Sequence, residues 1–220
     1  MRNKNYLLIL LLVIGLFYGL NSCKDKNRHS IVSPVSKEAV LSPKLLNSER
    51  IKMAFGSYGI DVLKKNSKLR VSNLYSLHDD KKITRTFAVV RYPERIDSMF
   101  LKEHTKILDG ESIGRVFKEG QWKIEKQPFL FGAISASPDY VKVYNLMGHI
   151  MPSELAIYIY GFNVKKGDKS YHYATISEVY HPDYLTLTDL KTIYPDAKNY
   201  LNNASFTQTL NQVKKEMKAN

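Results

Sequence analysis

The chain of 220 residues holds one cysteine, Cys23, and one tryptophan, Trp122. A lone cysteine excludes an internal disulfide and a thiolate-rich metal site, so the fold rests on its packed core. Histidine is sparse. The six stand at 29, 78, 104, 149, 172 and 181 and form neither an i, i+4 pair nor a zinc-ligand spacing. His78-Asp79-Asp80 reads as a polar hairpin turn, and Glu111 and Glu119 as solvated surface acids. A glycine-rich phosphate loop is missing, as is a Gly-x-Ser-x-Gly elbow. Neither a cofactor nor a metal is expected. Acids are the minority charge, 21 against 33 Lys and Arg, for a net +12. The basic residues are dispersed and form no Arg/Lys block. Nucleic acid is therefore not an expected partner; lipid headgroups and small anions are.

Long apolar runs are also scarce, and the one present, residues 6–20, is informative. It follows Arg2 and Lys4 and stops short of the roughly 20 residues that span a bilayer. It ends in Leu20-Asn21-Ser22-Cys23, followed by Lys24-Asp25-Lys26. This stretch resembles a bacterial lipobox. The resemblance implies that residues 1–22 are a signal peptide and that Cys23 becomes the lipidated first residue of the mature chain. Two or more acyl chains, at about 0.8 kcal/mol per buried CH2, anchor a protein stably. The expected location is the cell envelope, in the outer membrane of a Gram-negative bacterium; Lys24 gives no reason for inner-membrane retention. Removing the leader takes away two positive charges and no acid, leaving +10.

Residues 23–44 are polar, with Pro34 and Pro43, and read as a flexible tether. Residues 45–220 read as a single domain. A helix is expected over 46–65, weakened by Gly56 and Gly59. Strands at 69–77 and 83–92 flank a turn at 78–82, and Pro93 stops the second. A helix over 94–106, a short element from Ser112 and strands near 121–126 and 129–134 follow. Residues 135–152 have no clear pattern. The run 155–164 reads as a strand buried on both faces, 165–169 as a turn and 170–180 as the returning strand, with a closing surface helix at 206–217. Hairpins with helices between them indicate an α+β fold: one antiparallel sheet with helices packed on one face.

Two charged residues fall on apolar strand faces. Strand alternation places Glu178 with Ala174, Ile176 and Tyr180. A turn at 78–82 sets Arg70 opposite Val90 and Leu74 opposite Thr86. A buried carboxylate needs a partner, and Arg70 is one; removing it is then expected to leave Glu178 unpaired. An Arg with a Glu in one pocket also suits a small carboxylic acid, the guanidinium gripping the carboxylate and the Glu accepting from a hydroxyl. An edge strand with its faces reversed, or a purely structural ion pair, accounts for the same pattern.

Leu69-Arg70, Arg85-Thr86, Pro93, Ile113-Gly114-Arg115 and Ser177-Glu178-Val179-Tyr180-His181-Pro182 occur in this order. The order resembles the chorismate lyase family and its wider superfamily, which includes small-ligand-sensing domains, over residues 50–185. Family enzymes release pyruvate from chorismate to give 4-hydroxybenzoate, without metal or cofactor. The resemblance implies Arg70, Ile113 and Glu178 as ligand-binding positions. Two departures touch the pocket. The family's W-G-R-R stretch is replaced by Ala156-Ile157-Tyr158-Ile159-Tyr160, and the section from Gly114 to Glu178 is longer. Three readings stay open: a lipid-anchored binder of a small organic, aromatic acid; a structural or interaction lipoprotein whose pocket is filled by side chains; and a cofactor-free lyase.

Overall fold

The computed structural model describes residues 35–150, 152–195 and 204–218. The leader, Cys23 and the tether as far as residue 34 lie outside the described residues. Six strands form one open antiparallel sheet in the order β1-β2-β3-β6-β5-β4. They are β1 (Gly59–Lys65), β2 (Leu69–His78), β3 (Lys81–Arg91), β4 (Lys123–Ser135), β5 (Glu154–Lys166) and β6 (Lys169–Tyr180). The β2–β3 and β5–β6 hairpins both belong to this sheet and are joined by the β3–β6 pairing. The expected register holds, with Arg70 facing Val90 and Leu74 facing Thr86. Asp79 and Asp80, both with positive φ, make the turn in two residues, the backbone that tight hairpins favour.

The helices are α1 (Lys37–Val40), α2 (Asn47–Phe55), α3 (Leu101–Leu108), α4 (Ile113–Glu119), α5 (Val141–Leu146), α6 (Leu187–Ile193) and α7 (Ala204–Lys218). A 3-10 turn (Ser98–Phe100) leads into α3. The helix expected over 46–65 is corrected. It ends at Gly56, which adopts φ 75°, a left-handed conformation that glycine takes without penalty. The chain then enters β1, because Ile60 and Val62 pair with Leu74 and Ser72 at the sheet edge. The two runs expected near 121–126 and 129–134 form one bulged strand, β4, with the register shift between Pro128 and Leu130.

Helices cover both faces of the sheet, which corrects the expectation of one. On the first face, Ile51 of α2, Ile107 of α3, Phe117 of α4 and Leu190 of α6 pack with Val90, Tyr160 and Ile176. On the second, Val143 of α5 and Val213 and Met217 of α7 pack with Val71, Phe87, Ile157 and Val179. Burial on both faces explains why β5 is a nearly continuous apolar run from Leu155 to Phe162. The span 35–44, read as tether, is also corrected, because it packs on the domain. Val40 is buried, and the Arg50 guanidinium donates to the carbonyls of Val40 (2.8 Å), Ser42 (2.9 Å) and Leu45 (3.5 Å). Among the described residues no helix is long and apolar enough to cross a membrane.

Candidate functional site

The first face of the sheet is a grid, and two of its rows build the site. One row runs Arg70–Val90–Ile176–Tyr160 across β2, β3, β6 and β5. The next runs Ser72–Ala88–Glu178–Tyr158. Arg70 and Glu178 thus share a face, two strands and one row apart, about 12 Å between Cα atoms from ordinary sheet spacings. Small residues between them, Ser72 and Ala88, leave space that larger side chains would fill. The floor is this part of the sheet. The roof is the first turn of α2 (Leu46, Asn47, Ser48) and the first turn of α4 (Ser112, Ile113, Gly114).

The space so enclosed is a cavity of about 60 Å³ that Arg70, Ile113 and Glu178 all line. A water molecule needs roughly 10–15 Å³ of such space, and drug-sized ligands occupy roughly 300–1,000 Å³. The cavity therefore suits several waters or one small organic molecule. Its walls are mainly apolar: Ile60, Leu74, Val90, Phe162 and Ile176. Gly114 lets Leu46 come close: a Cβ there would stand 2.9 Å from Leu46 Cδ2, and the leucine would have to shift.

The two charges are in opposite situations. Arg70 is 1% exposed, and its Nε and Nη2 meet no hydrogen-bond partner. Burial pulls its pKa below the ordinary value, and the nearby phenols of Tyr92, Tyr58 and Tyr173 partly offset this. A guanidinium keeps its charge at neutral pH all the same. Arg70 forms no ion pair with Glu178, so the structural pair considered from the sequence is corrected. Glu178, 4% exposed, is held by neutral donors instead. Asn47 Nδ2 donates to Oε1 (2.8 Å) and the Tyr180 hydroxyl to Oε2 (2.7 Å).

Asn47 is oriented in turn. Its Oδ1 accepts from the Tyr184 hydroxyl (2.7 Å), which leaves Nδ2 for Glu178 and Thr86 Oγ1 (3.1 Å). Burial first, then the charge of Glu178, raises the pKa of Tyr180 well above the usual phenol value. Tyr180 therefore stays protonated and donates. Each carboxylate oxygen of Glu178 accepts one hydrogen bond from the protein, and the remaining lone pairs can accept from a ligand.

A second cation stands in the wall. Lys126 Nζ lies 4.6 Å from the Tyr160 ring centroid and donates to the Tyr194 hydroxyl (3.2 Å). Asn47, Tyr180, Tyr184 and Lys126 were not singled out as site residues by the sequence. Tyr180 alone had a signal, its shared strand face with Glu178. Among the described residues no group of three His, Cys, Asp or Glu could hold a metal ion. Chemically, the cavity offers an unneutralised guanidinium at one end and an acceptor carboxylate at the other. No family model matches the chain, and no curated protein matches it.

Proposed function

We propose that the domain binds a small organic acid in this cavity, as a chorismate lyase-like domain held at a membrane through lipidated Cys23. The observation that carries the reading is the buried Arg70 guanidinium with two nitrogens unpartnered. A buried charge without a partner costs several kcal/mol. It persists where a function uses it, and a ligand carboxylate supplies the two acceptors that a guanidinium fork takes. Glu178, supplied only with donors, accepts from a hydroxyl at the far end of the ligand. The apolar walls between suit an aromatic ring, and Ile113 packs against it from the roof. An open cavity favours this reading over a structural lipoprotein with a filled pocket.

Calorimetric titration with 4-hydroxybenzoate and related acids tests the reading, with chorismate turnover assayed alongside. Saturable binding without pyruvate release is the expected result. Pyruvate release would make the protein a lyase, and no heat with any small acid would remove the ligand reading.

The anchor is a separate part of the proposal and rests on the 6–20 apolar run ending at Cys23. Cys23→Ser is expected to leave the chain unprocessed and without lipid. Mass spectrometry reads this directly, and a mature N-terminus other than lipidated Cys23 would contradict it.

A further inference from the structure

The second face of the sheet has a gap at the free edge of β4. One row on this face runs Asn73–Phe87–Val179–Ile157–Gly132 across β2, β3, β6, β5 and β4. Its β4 member brings no side chain, while Leu130 and Ile134 on either side are buried. Nothing in the fold requires glycine at this position. Gly132 has no positive φ, and a Cβ there would meet no atom within 4 Å. A glycine inside a strand weakens it, so this one leaves space at a cost in stability.

The closing helix crosses this face without filling the gap. Val213 and Met217 of α7 pack with Val71 and Val179, whereas Leu210 and Lys214, one turn apart on the adjoining ridge, border the gap. The result is a hollow of about 520 Å³, within the roughly 300–1,000 Å³ of small-ligand sites. It shares no lining residue with the Arg70 cavity on the first face. Leu130, Ile134, Ile157, Leu187 and Leu210 give it aliphatic walls, and Tyr140 joins them. From Leu130 to Ile134 the strand extends about 13 Å, so the apolar strip is long and narrow.

Lys214 is the charged residue of the lining. Among the described residues it makes no hydrogen bond or ion pair. Lys218, the next residue along that ridge, is committed to Asp139 at 2.7 Å. A lysine stem lies along apolar surface while its ammonium reaches out, which sets an unpaired cation beside an aliphatic strip. We propose that this hollow binds a free fatty acid, its chain lying over Gly132 and its carboxylate paired with Lys214. The site is independent of the one built on Arg70 and Glu178.

Calorimetric titration of the full chain with octanoate, decanoate and dodecanoate, each below its micellar concentration, tests the site. Affinity is expected to rise about fourfold for each added CH2 until the hollow is full. Decanol, which keeps the chain but carries no charge, is expected to bind about two- to fivefold more weakly than decanoate. Lys214→Met should erase that difference and leave decanol binding unchanged. Gly132→Leu fills the gap and should abolish binding of both, with Tm unchanged or higher. Leu210→Trp fills the same space from α7 and decides the matter if Gly132→Leu does not fold. Arg70→Met should change none of these affinities, so failure here and failure of the Arg70 reading are distinguishable. Affinity that is flat with chain length, or indifferent to the filling variants, would overturn the site, as would equal binding of acid and alcohol. A wild-type dimer in sedimentation that Gly132→Leu splits would overturn it too, in favour of an interface between copies.

Discussion

Replacing Arg70 with Met is expected to abolish binding of carboxylated ligands while leaving the free protein as stable as before or more stable. The two effects have one cause. The guanidinium is buried and lacks partners at Nε and Nη2, so the free protein carries its desolvation without compensation. Removing one partner of a buried charged contact weakens it by about 3–5 kcal/mol, which exceeds a hundredfold in affinity. Exchanging a buried ionic group for a well-packed apolar one of similar volume is often neutral or stabilising by about 1–4 kcal/mol. For a domain of this size each kcal/mol moves Tm by roughly 2–4 °C. Glu178 does not suffer, because Asn47 and Tyr180 hold it. The expectation from sequence that losing Arg70 strands Glu178 is corrected by that geometry. Calorimetric titration and thermal scanning on the same variant check both effects. A Met variant that unfolds several degrees earlier would mean that Arg70 supports the fold.

Asn47→Leu is expected to act in the opposite sense, as a large loss of stability. The substitution removes the donor to Glu178 Oε1, the acceptor of the Tyr184 hydroxyl and the donor to Thr86. All four residues are buried, so water cannot restore these bonds without opening the roof. Tyr180 still donates to Glu178 Oε2, but each buried polar group left without its partner costs about 1–3 kcal/mol, more for a charged one, and each kcal/mol lowers Tm by roughly 2–4 °C. Any ligand affinity that survives should fall too, since Glu178 loses its orientation. Denaturant unfolding monitored at Trp122 measures the first effect. A variant with unchanged midpoint would show that the Asn47 network is dispensable.

The parts of the fold that follow from local periodicity were legible in the sequence. Alternation placed Arg70 opposite Val90 and put Glu178 on the face of Ala174 and Ile176, and the sheet has both. The helix at 206–217 appears as α7. What failed depended on tertiary partners. Ile60 and Val62 fit a helical stripe as well as an edge strand, and only the free edge of β2 decides between them. Residues 35–44 looked like linker because their fastenings lie outside the segment, in Arg50 of the next helix and in Asp189 far along the chain. The second helical layer was missed because residues 135–152 have no periodic pattern strong enough to announce α5. At the site, the cavity walls followed from strand faces, but Asn47 did not. A polar residue beside a helix start reads as a cap, and here it is buried against a strand 131 positions away.

The most direct measurement is the heat of titrating 4-hydroxybenzoate into the full-length protein, compared with 4-hydroxybenzamide, which keeps the ring and hydroxyl but presents no charge to Arg70. Saturable one-to-one binding of the acid, weak or absent for the amide and lost in Arg70→Met, is the result expected. Equal affinity for acid and amide, or binding that survives Arg70→Met, would contradict the assignment of Arg70 as the anion-gripping end of the cavity.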